Sequence, residues 1–259
     1  MTHTEHRRVV AGIGPTGYRV PMLRWAAAEA LARDAELSLV TAVPRGVTPE
    51  ATSLADATAR LADEYPGLAL TTAAAGGAPA DVLRHASAEA DLLVVGADDG
   101  TPFAEAISGS VPGALLTTAP CPFAVVPHAG SHAGAGDPVV AAVDDAGVSQ
   151  AALAYAFATA DRSGRPLVLL HSRPPDAADR SLALTGFRGL YPAVRFTETV
   201  APGDPRTTLA DWSRTAALLI LGSRRPTAPA FGSAQRTLLR HSACPVVITR
   251  PPASAARPG

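Results

Sequence analysis

Lysine is absent from the chain: all 22 basic residues are arginine. That removes the lysine of a phosphate-binding P-loop, Schiff-base chemistry and a lysine general base together. Cysteine is almost absent too, and Cys121 with Cys244 cannot build a disulfide framework, so a reducing compartment and a cytoplasmic setting are expected. Charge is sparse and balanced, with 17% charged residues and a formal net charge of −1, which gives no basic field for nucleic acid. No apolar run approaches the roughly 20 residues of a membrane span. Met1 to Arg8 is followed by neither an apolar h-region nor a cleavage site, so a secretory signal is not expected. What the chain does have is apolar material, 47% of its residues at a mean hydropathy of +0.15, enough for a packed core in each of two halves.

The halves are copies. Val9-Val10-Ala11-Gly12-Ile13 is echoed by Val139-Val140-Ala141-Ala142-Val143, about 130 residues on. Leu92-Leu93-Val94-Val95-Gly96 returns as Leu218-Leu219-Ile220-Leu221-Gly222 at about 126, and Gly109-Ser110 as Gly232-Ser233 at about 123. Cys121-Pro122-Phe123 onward matches Cys244-Pro245-Val246 at that same last offset. Landmarks in one order with a shrinking offset describe a duplication whose second copy has lost a few residues. The expected domains are 1–128 and 138–251, with a flexible Gly/Ala connector at 129–137 and a disordered tail at 252–259.

Within each copy, short apolar runs alternate with Ala-rich stretches of helical period. Strands are expected at Val9 to Ile13, Ser38 to Val43, Leu68 to Ala74, Leu92 to Gly96 and after Cys121-Pro122 in the first copy. The second copy repeats them at Val139 to Val143, Leu167 to His171, Val194 to Val200, Leu218 to Gly222 and after Cys244-Pro245. Helices are expected over Met22 to Arg33, Glu50 to Glu64, Ala80 to Ala90, Gln150 to Arg162 and Thr207 to Arg214, and after each Gly-Ser pair. Ser149 would cap one of them and Gly164 stop it. Five apolar strands separated by helices predict an α/β fold, a parallel sheet covered on both faces, with its ligand crevice at the strands' carboxyl ends.

The segment from Gly96 to Ser110 carries the most chemistry. A buried strand ends at Gly96, an irregular loop follows, and Gly109-Ser110 opens a helix, a geometry that offers free backbone N–H groups to a phosphate. The other reading of the same residues is a close-packed turn with Ser110 as a helix cap.

This order of strand, Gly-rich loop, Gly-Ser, helix and Cys-Pro strand resembles the universal stress protein family in a tandem two-domain form. Leu23-Arg24-Trp25-Ala26-Ala27 and the turns Gly77-Ala78-Pro79 and Gly203-Asp204-Pro205 belong to the same resemblance. It implies two tandem five-stranded parallel-sheet, Rossmann-like domains of the adenine nucleotide alpha hydrolase type. It also implies frequent dimers and, in one branch, ATP held without rapid turnover. That branch is marked by an Asp ending the first strand and by glycine, two residues, glycine, nine residues, then glycine with Ser or Thr. Carried over residue by residue, the resemblance places Val43, Gly96, Gly100, Gly109 and Ser110 at a nucleotide in the first copy. In the second copy it places Asp144, Gly222, Gly232 and Ser233 there.

Both copies depart from the pattern. In the first, Gly14 stands at the Asp position and Asp99 at the middle glycine, with Gly100 one place later. In the second, Asp144 is present, but the loop is about three residues short and Arg225 replaces the middle glycine, beside Arg224. A carboxylate facing a triphosphate repels it unless a metal intervenes, so magnesium is expected only if ATP binds.

Other candidates have plainer readings. Cys121 and Cys244 are expected as buried small hydrophobes, and His171 as a satisfied strand-end histidine. Asp98-Asp99 and Asp144-Asp145 read as solvated turn carboxylates. His128 and His132 lack ligand spacing for zinc. No His-x-Gly-His, Ser-Gly-Gly-x-x-Ser or Gly-x-Ser-x-Gly segment is present, so an enzyme is not expected. Two functions remain. One is a stress-response sensor holding ATP in the first copy. The other is a nucleotide-free scaffold whose copies pair with each other, or with a second chain, for protein–protein association.

Overall fold

The computed structural model describes residues 7–14, 17–43, 51–97, 111–129, 133–143, 149–171, 177–201, 203–222, 238 and 242–250. The chain divides into two compact units, Met1–Gly130 and Ser131–Gly259. In the first, β1 (Arg8–Ile13), α1 (Val20–Ala32), β2 (Glu36–Val43), α2 (Ala51–Glu64), β3 (Leu70–Gly76), α3 (Pro79–Ala86), β4 (Leu92–Gly96), α4 (Val111–Thr118) and β5 (Phe123–Val126) follow one another. Its strands lie in the order β3-β2-β1-β4-β5, every pair parallel. The second unit runs β6 (Val139–Val143), α5 (Ser149–Ser163), β7 (Leu167–His171), α6 (Ala177–Leu190), β8 (Phe196–Val200), α7 (Pro205–Trp212), β9 (Leu218–Gly222) and β10 (Val246–Thr249). Its order, β8-β7-β6-β9-β10, is the same winding, again parallel throughout.

The repeat extends to individual side chains. On α1 the buried residues are Met22, Leu23, Ala26, Ala27 and Ala30. On α5 they are Ala152, Leu153, Ala156, Phe157 and Ala160, the same five positions shifted by 130. The spacing is that of one apolar stripe on a 3.6-residue helix, laid on the sheet. Both helices end alike. Asp34 adopts φ +52 and Gly164 φ +64, left-handed residues again 130 apart. In the first unit the Ala35 amide reaches back to the Ala30 carbonyl at 2.9 Å, the long bond that closes a helix end of this type.

The central strands are buried on both faces: Val9, Val10, Leu92, Leu93, Val94, Leu167, Leu169, Leu219 and Ile220 are closed to solvent. The outer strands differ from the expectation of five apolar strands. Along β3 every residue after Leu70 is exposed, and β8 alternates between half-buried and exposed. Each pairs on one side only within its unit and is covered less, so Thr71, Thr72, Thr197 and Glu198 are tolerated there.

Helix α6 occupies a stretch for which the sequence predicts none. Gly186 and Gly189 interrupt its helical pattern and Pro174-Pro175 precede it. Its place is secured by packing: Phe157 of α5 stacks on Phe187 at 5.1 Å and on Tyr191 at 6.0 Å, and meets Phe196 of β8 edge-on at 5.3 Å. The expected flexible connector is also partly tied down. Asp137 Oδ2 accepts the Gly134 amide at 2.6 Å, and Arg165 Nη1 donates to the carbonyls of Gly134 at 2.6 Å and Asp137 at 3.0 Å. The tail after Arg250 lies outside the described residues.

Candidate functional site

In the first unit β1 has β2 on one side and β4 on the other, so the chain leaves their carboxyl ends in opposite directions and opens a crevice between them. A cavity of about 310 Å³ occupies it. Gly12, Ile13 and Gly14 of β1 and its turn line one side, and Val40 and Ala42 of β2 line another. Pro79 and Leu83 of α3, Val95, Gly96 and Ala97 of β4, and Val111 and Pro112 opening α4 complete the base, with Gly17, Tyr18, Arg19 and Met22 at the start of α1.

Position 12 is closely packed by the ends of neighbouring side chains. A Cβ there would stand 2.8 Å from Leu83 Cδ1 and 3.3 Å from Val95 Cγ1. Gly96 is looser: its Cβ would meet the Arg19 Cγ at 3.7 Å, an ordinary contact, so the aliphatic stem of Arg19 passes over the end of β4. Beyond it, Arg19 Nη1 lies 3.4 Å from His128 Nε2, just past β5. A guanidinium only donates, so His128 Nε2 serves as the acceptor in this contact.

Tyr18, at the other side of the mouth, is tied to α2. Arg60 is hydrogen-bonded to Tyr18 and to Glu64, and both contacts hold its pKa above the ordinary arginine value. Glu64 in turn accepts Arg24 Nε at 2.7 Å and Arg60 Nη1 at 3.1 Å. The bond from Arg24, then that from Arg60, keeps its carboxyl below the usual carboxylate range despite some desolvation.

Of the residues expected at a nucleotide, Gly96 lines the cavity and Val43 does not. Val40 and Ala42 face the cavity and Val43 alternates to the other face of β2, its carbonyl accepting the Gly77 amide at 3.2 Å. In the second unit Gly222 ends β9 opposite Thr249. Gly100, Gly109, Ser110, Asp144, Gly232 and Ser233 lie outside the described residues, as do Asp98, Asp99, Asp145, Arg224 and Arg225; α4 begins directly after Ser110. Tyr18 and Arg19 were not foreseen from the sequence. A signal existed: 130 residues on, the same helix start carries Ser149, an ordinary cap residue, where the first copy has Arg19.

The remaining candidates resolve into structure. His171 is buried, with Nε2 3.2 Å from Glu198 Oε2. Cys121 and Cys244 are buried free thiols, each 3.4–3.5 Å from the carbonyl of the proline that follows it. Burial pushes both thiols up to about 11. Among the described residues there is no group of three or more His, Cys, Asp or Glu placed to hold a metal, and no helix is long and apolar enough to cross a membrane.

Comparison with known proteins agrees with this architecture. The model of the universal stress protein family matches residues 5–127. A universal stress protein of Mycobacterium tuberculosis strain H37Rv is 29% identical, with 66% of each chain covered, so this chain spans about two thirds of that relative's length. One from Mycolicibacterium smegmatis is 26% identical, with 94% of this chain and 97% of that protein covered. Among solved structures, a universal stress protein from Archaeoglobus fulgidus shares the fold at a TM-score of 0.68 and 16% identity, covering 93% of this chain and 96% of its own. A universal stress protein solved in complex with cAMP is 27% identical, covers 48% of this chain and 98% of its own, and has a TM-score of 0.42. The first copy, residues 5–127, thus matches the universal stress protein family, and the relatives aligned along the chain are universal stress proteins.

Proposed function

We propose that this chain is a cytoplasmic stress-response protein whose first unit binds an adenine nucleotide, ATP foremost, in the crevice between β1 and β4, and holds it without rapid turnover. The observation that carries the proposal is the cavity itself, which combines a sheet-end position, an apolar interior and a cation at its rim. Its 310 Å³ lies at the lower end of the roughly 300–1,000 Å³ of small-molecule sites. That suits a base and ribose against Val40, Ala42, Met22 and Leu83, with the phosphates leading out over Gly96 toward the loop that ends at Gly109-Ser110. Tyr18 and Arg19 supply the polar side chains among the described residues of the lining, a hydroxyl and a guanidinium that can hydrogen-bond a bound nucleotide. Magnesium would arrive with the phosphates and neutralise part of their charge.

The second reading, a nucleotide-free scaffold acting through paired copies or a homodimer, is favoured by the glycine at position 14, where the family's nucleotide-binding branch has its carboxylate. Calorimetric titration of the full chain with ATP, with and without magnesium, separates the two. Saturable binding without phosphate release on the timescale of the titration supports the first, and silence up to millimolar ATP overturns it in favour of the scaffold. Gly109→Leu is expected to abolish the signal and Asp144→Ala to leave it; the reverse places the nucleotide in the second unit.

A further inference from the structure

We propose that Arg60 of α2 is a positioning residue for the first unit's cavity: it holds Tyr18 in place as a wall of the mouth and thereby sets the affinity for the ligand. The proposal rests on the nucleotide reading above and adds to it a residue outside the lining on which that site depends.

The chain around Tyr18 gives the side chain little support of its own. β1 ends at Ile13, Gly14 and Gly17 form an isolated bridge, and α1 begins at Val20, so Tyr18 lies outside both the sheet and the helix. Gly17, directly before it, has φ +150, a conformation that glycine adopts readily and other residues rarely do. A ring carried on a glycine pivot needs an anchor elsewhere if the mouth is to keep one shape.

That anchor comes from α2. Arg60 is hydrogen-bonded to Tyr18 and to Glu64, with its Nη1 donating to Glu64 Oε1 at 3.1 Å. Glu64 also takes a fork from Arg24 of α1, Nε to Oε2 at 2.7 Å and Nη2 to Oε1 at 3.1 Å. The two arginine side chains are about half exposed, and a lone ion pair so placed would hold little. A forked pair that continues into a third side chain is the exception, because each member orders the next. The tyrosine hydroxyl accepts from the guanidinium, and its ring remains part of the cavity wall. Two helices thus fix a group that borders the ligand, and a ring already in place need not be ordered when the ligand binds.

The second copy shows that the framework does not require this network. Tyr65-Pro66 after α2 returns as Tyr191-Pro192 after α6, 126 residues on, which sets the register of the two helices. In that register Gly186 stands at the place of Arg60 and Leu190 at that of Glu64, while Ala154 of α5 stands at that of Arg24. All three charges are peculiar to the unit that carries the cavity.

The test is calorimetric titration of the full chain with ATP and magnesium, each variant's fold being checked by its denaturant midpoint. Arg60→Met and Tyr18→Phe are each expected to weaken binding roughly two- to ten-fold, the scale of one net hydrogen bond. The double variant should bind no more weakly than Arg60→Met alone, because both changes break one link. Glu64→Gln separates positioning from long-range charge. Removing an anion near a nucleotide tightens ATP binding if Coulomb forces alone act, whereas a loosened Arg60 weakens it. Weaker binding by Glu64→Gln together with a non-additive double variant supports the proposal. Additive losses, tighter binding by Glu64→Gln or unchanged affinity in Arg60→Met overturn it and leave the nucleotide site standing. Should Arg60→Met fail to fold, Glu64→Gln, alone and combined with Tyr18→Phe, decides by the same two criteria. If wild type binds no ATP, the nucleotide reading falls and takes this one with it.

Discussion

Gly17 donates its amide to the Gly14 carbonyl at 3.3 Å, and a Cβ added to Gly14 would stand 2.9 Å from the Gly17 carbonyl oxygen. The turn after β1 is thus closed against the aspartate that the nucleotide-binding branch of the family carries at this point. Restoring that residue is the obvious repair, and the geometry predicts that it fails. Because the obstacle is backbone, Gly14→Asp must shift the turn, at a cost of about 1–3 kcal/mol by analogy with overpacking. Denaturant unfolding should show that loss, and titration should show nucleotide bound no more tightly than by wild type. Tighter binding at unchanged stability would mean that the turn is softer than its contacts imply.

Gly12 makes the opposite case, since the atoms in the way are ends of side chains. With Leu83 Cδ1 at 2.8 Å and Cδ2 at 3.2 Å from the added carbon, Gly12→Ala folds by moving the Leu83 tip a few tenths of an ångström. The second copy carries Ala142 at this position already. Leu83 lines the cavity, so the expected result is a several-fold weaker nucleotide affinity with under about 1.5 kcal/mol of lost stability. An affinity unchanged in titration, or a chain that no longer folds, goes against it.

The sheet was legible because burial on both faces leaves continuous apolar runs, and the same runs occur twice in the same order. Leu92 to Gly96 and Leu218 to Gly222 are read from the sequence and found at those limits. Edge strands were legible only in part: β3 is exposed and β8 no more than half-buried, so their composition carries little signal and their starts shift by two residues, from Leu68 to Leu70 and from Val194 to Phe196. Helix α6 was hidden because its glycines depress propensity while rings brought together from three elements compensate, a tertiary effect with no local trace. At the site, Gly96 was found through the loop that follows it. Arg19 and Tyr18 were not, because a family pattern directs attention to its own positions and these two lie between them.

The ring cluster of the second unit gives a stability prediction. Phe157 is closed to solvent and contacts Phe187, Tyr191 and Phe196, whereas the equivalent residue of the first unit is Ala27. Phe157→Ala therefore opens a cavity and removes the stack, and should cost about 3–5 kcal/mol. Unfolding followed through Trp212, in a chain whose Trp25 is replaced by Phe, reads this in the second unit. A loss under about 1 kcal/mol would show that the neighbouring rings close over the gap.

The two cysteines predict a pH dependence of definite sign. In the unfolded chain a thiol titrates near 9.0, and in the fold Cys121 and Cys244 are pushed up to about 11, chiefly by burial. Between those values the folded state keeps protons that the unfolded state has released, so stability falls as pH rises from about 9 to about 11. Below about pH 9 both states carry neutral thiols and the contribution is flat. Two independent sites should act additively. Denaturant midpoints across pH 8 to 11 are therefore expected to decline less steeply in Cys121→Ala with Cys244→Ala than in wild type, once each is referred to its own value at pH 8. The same burial lowers the thiolate fraction at pH 8 by about a hundredfold, so iodoacetamide should label neither residue until the chain unfolds. Rapid labelling of the folded protein at pH 8, or parallel pH profiles for the two chains, would contradict the burial on which this rests.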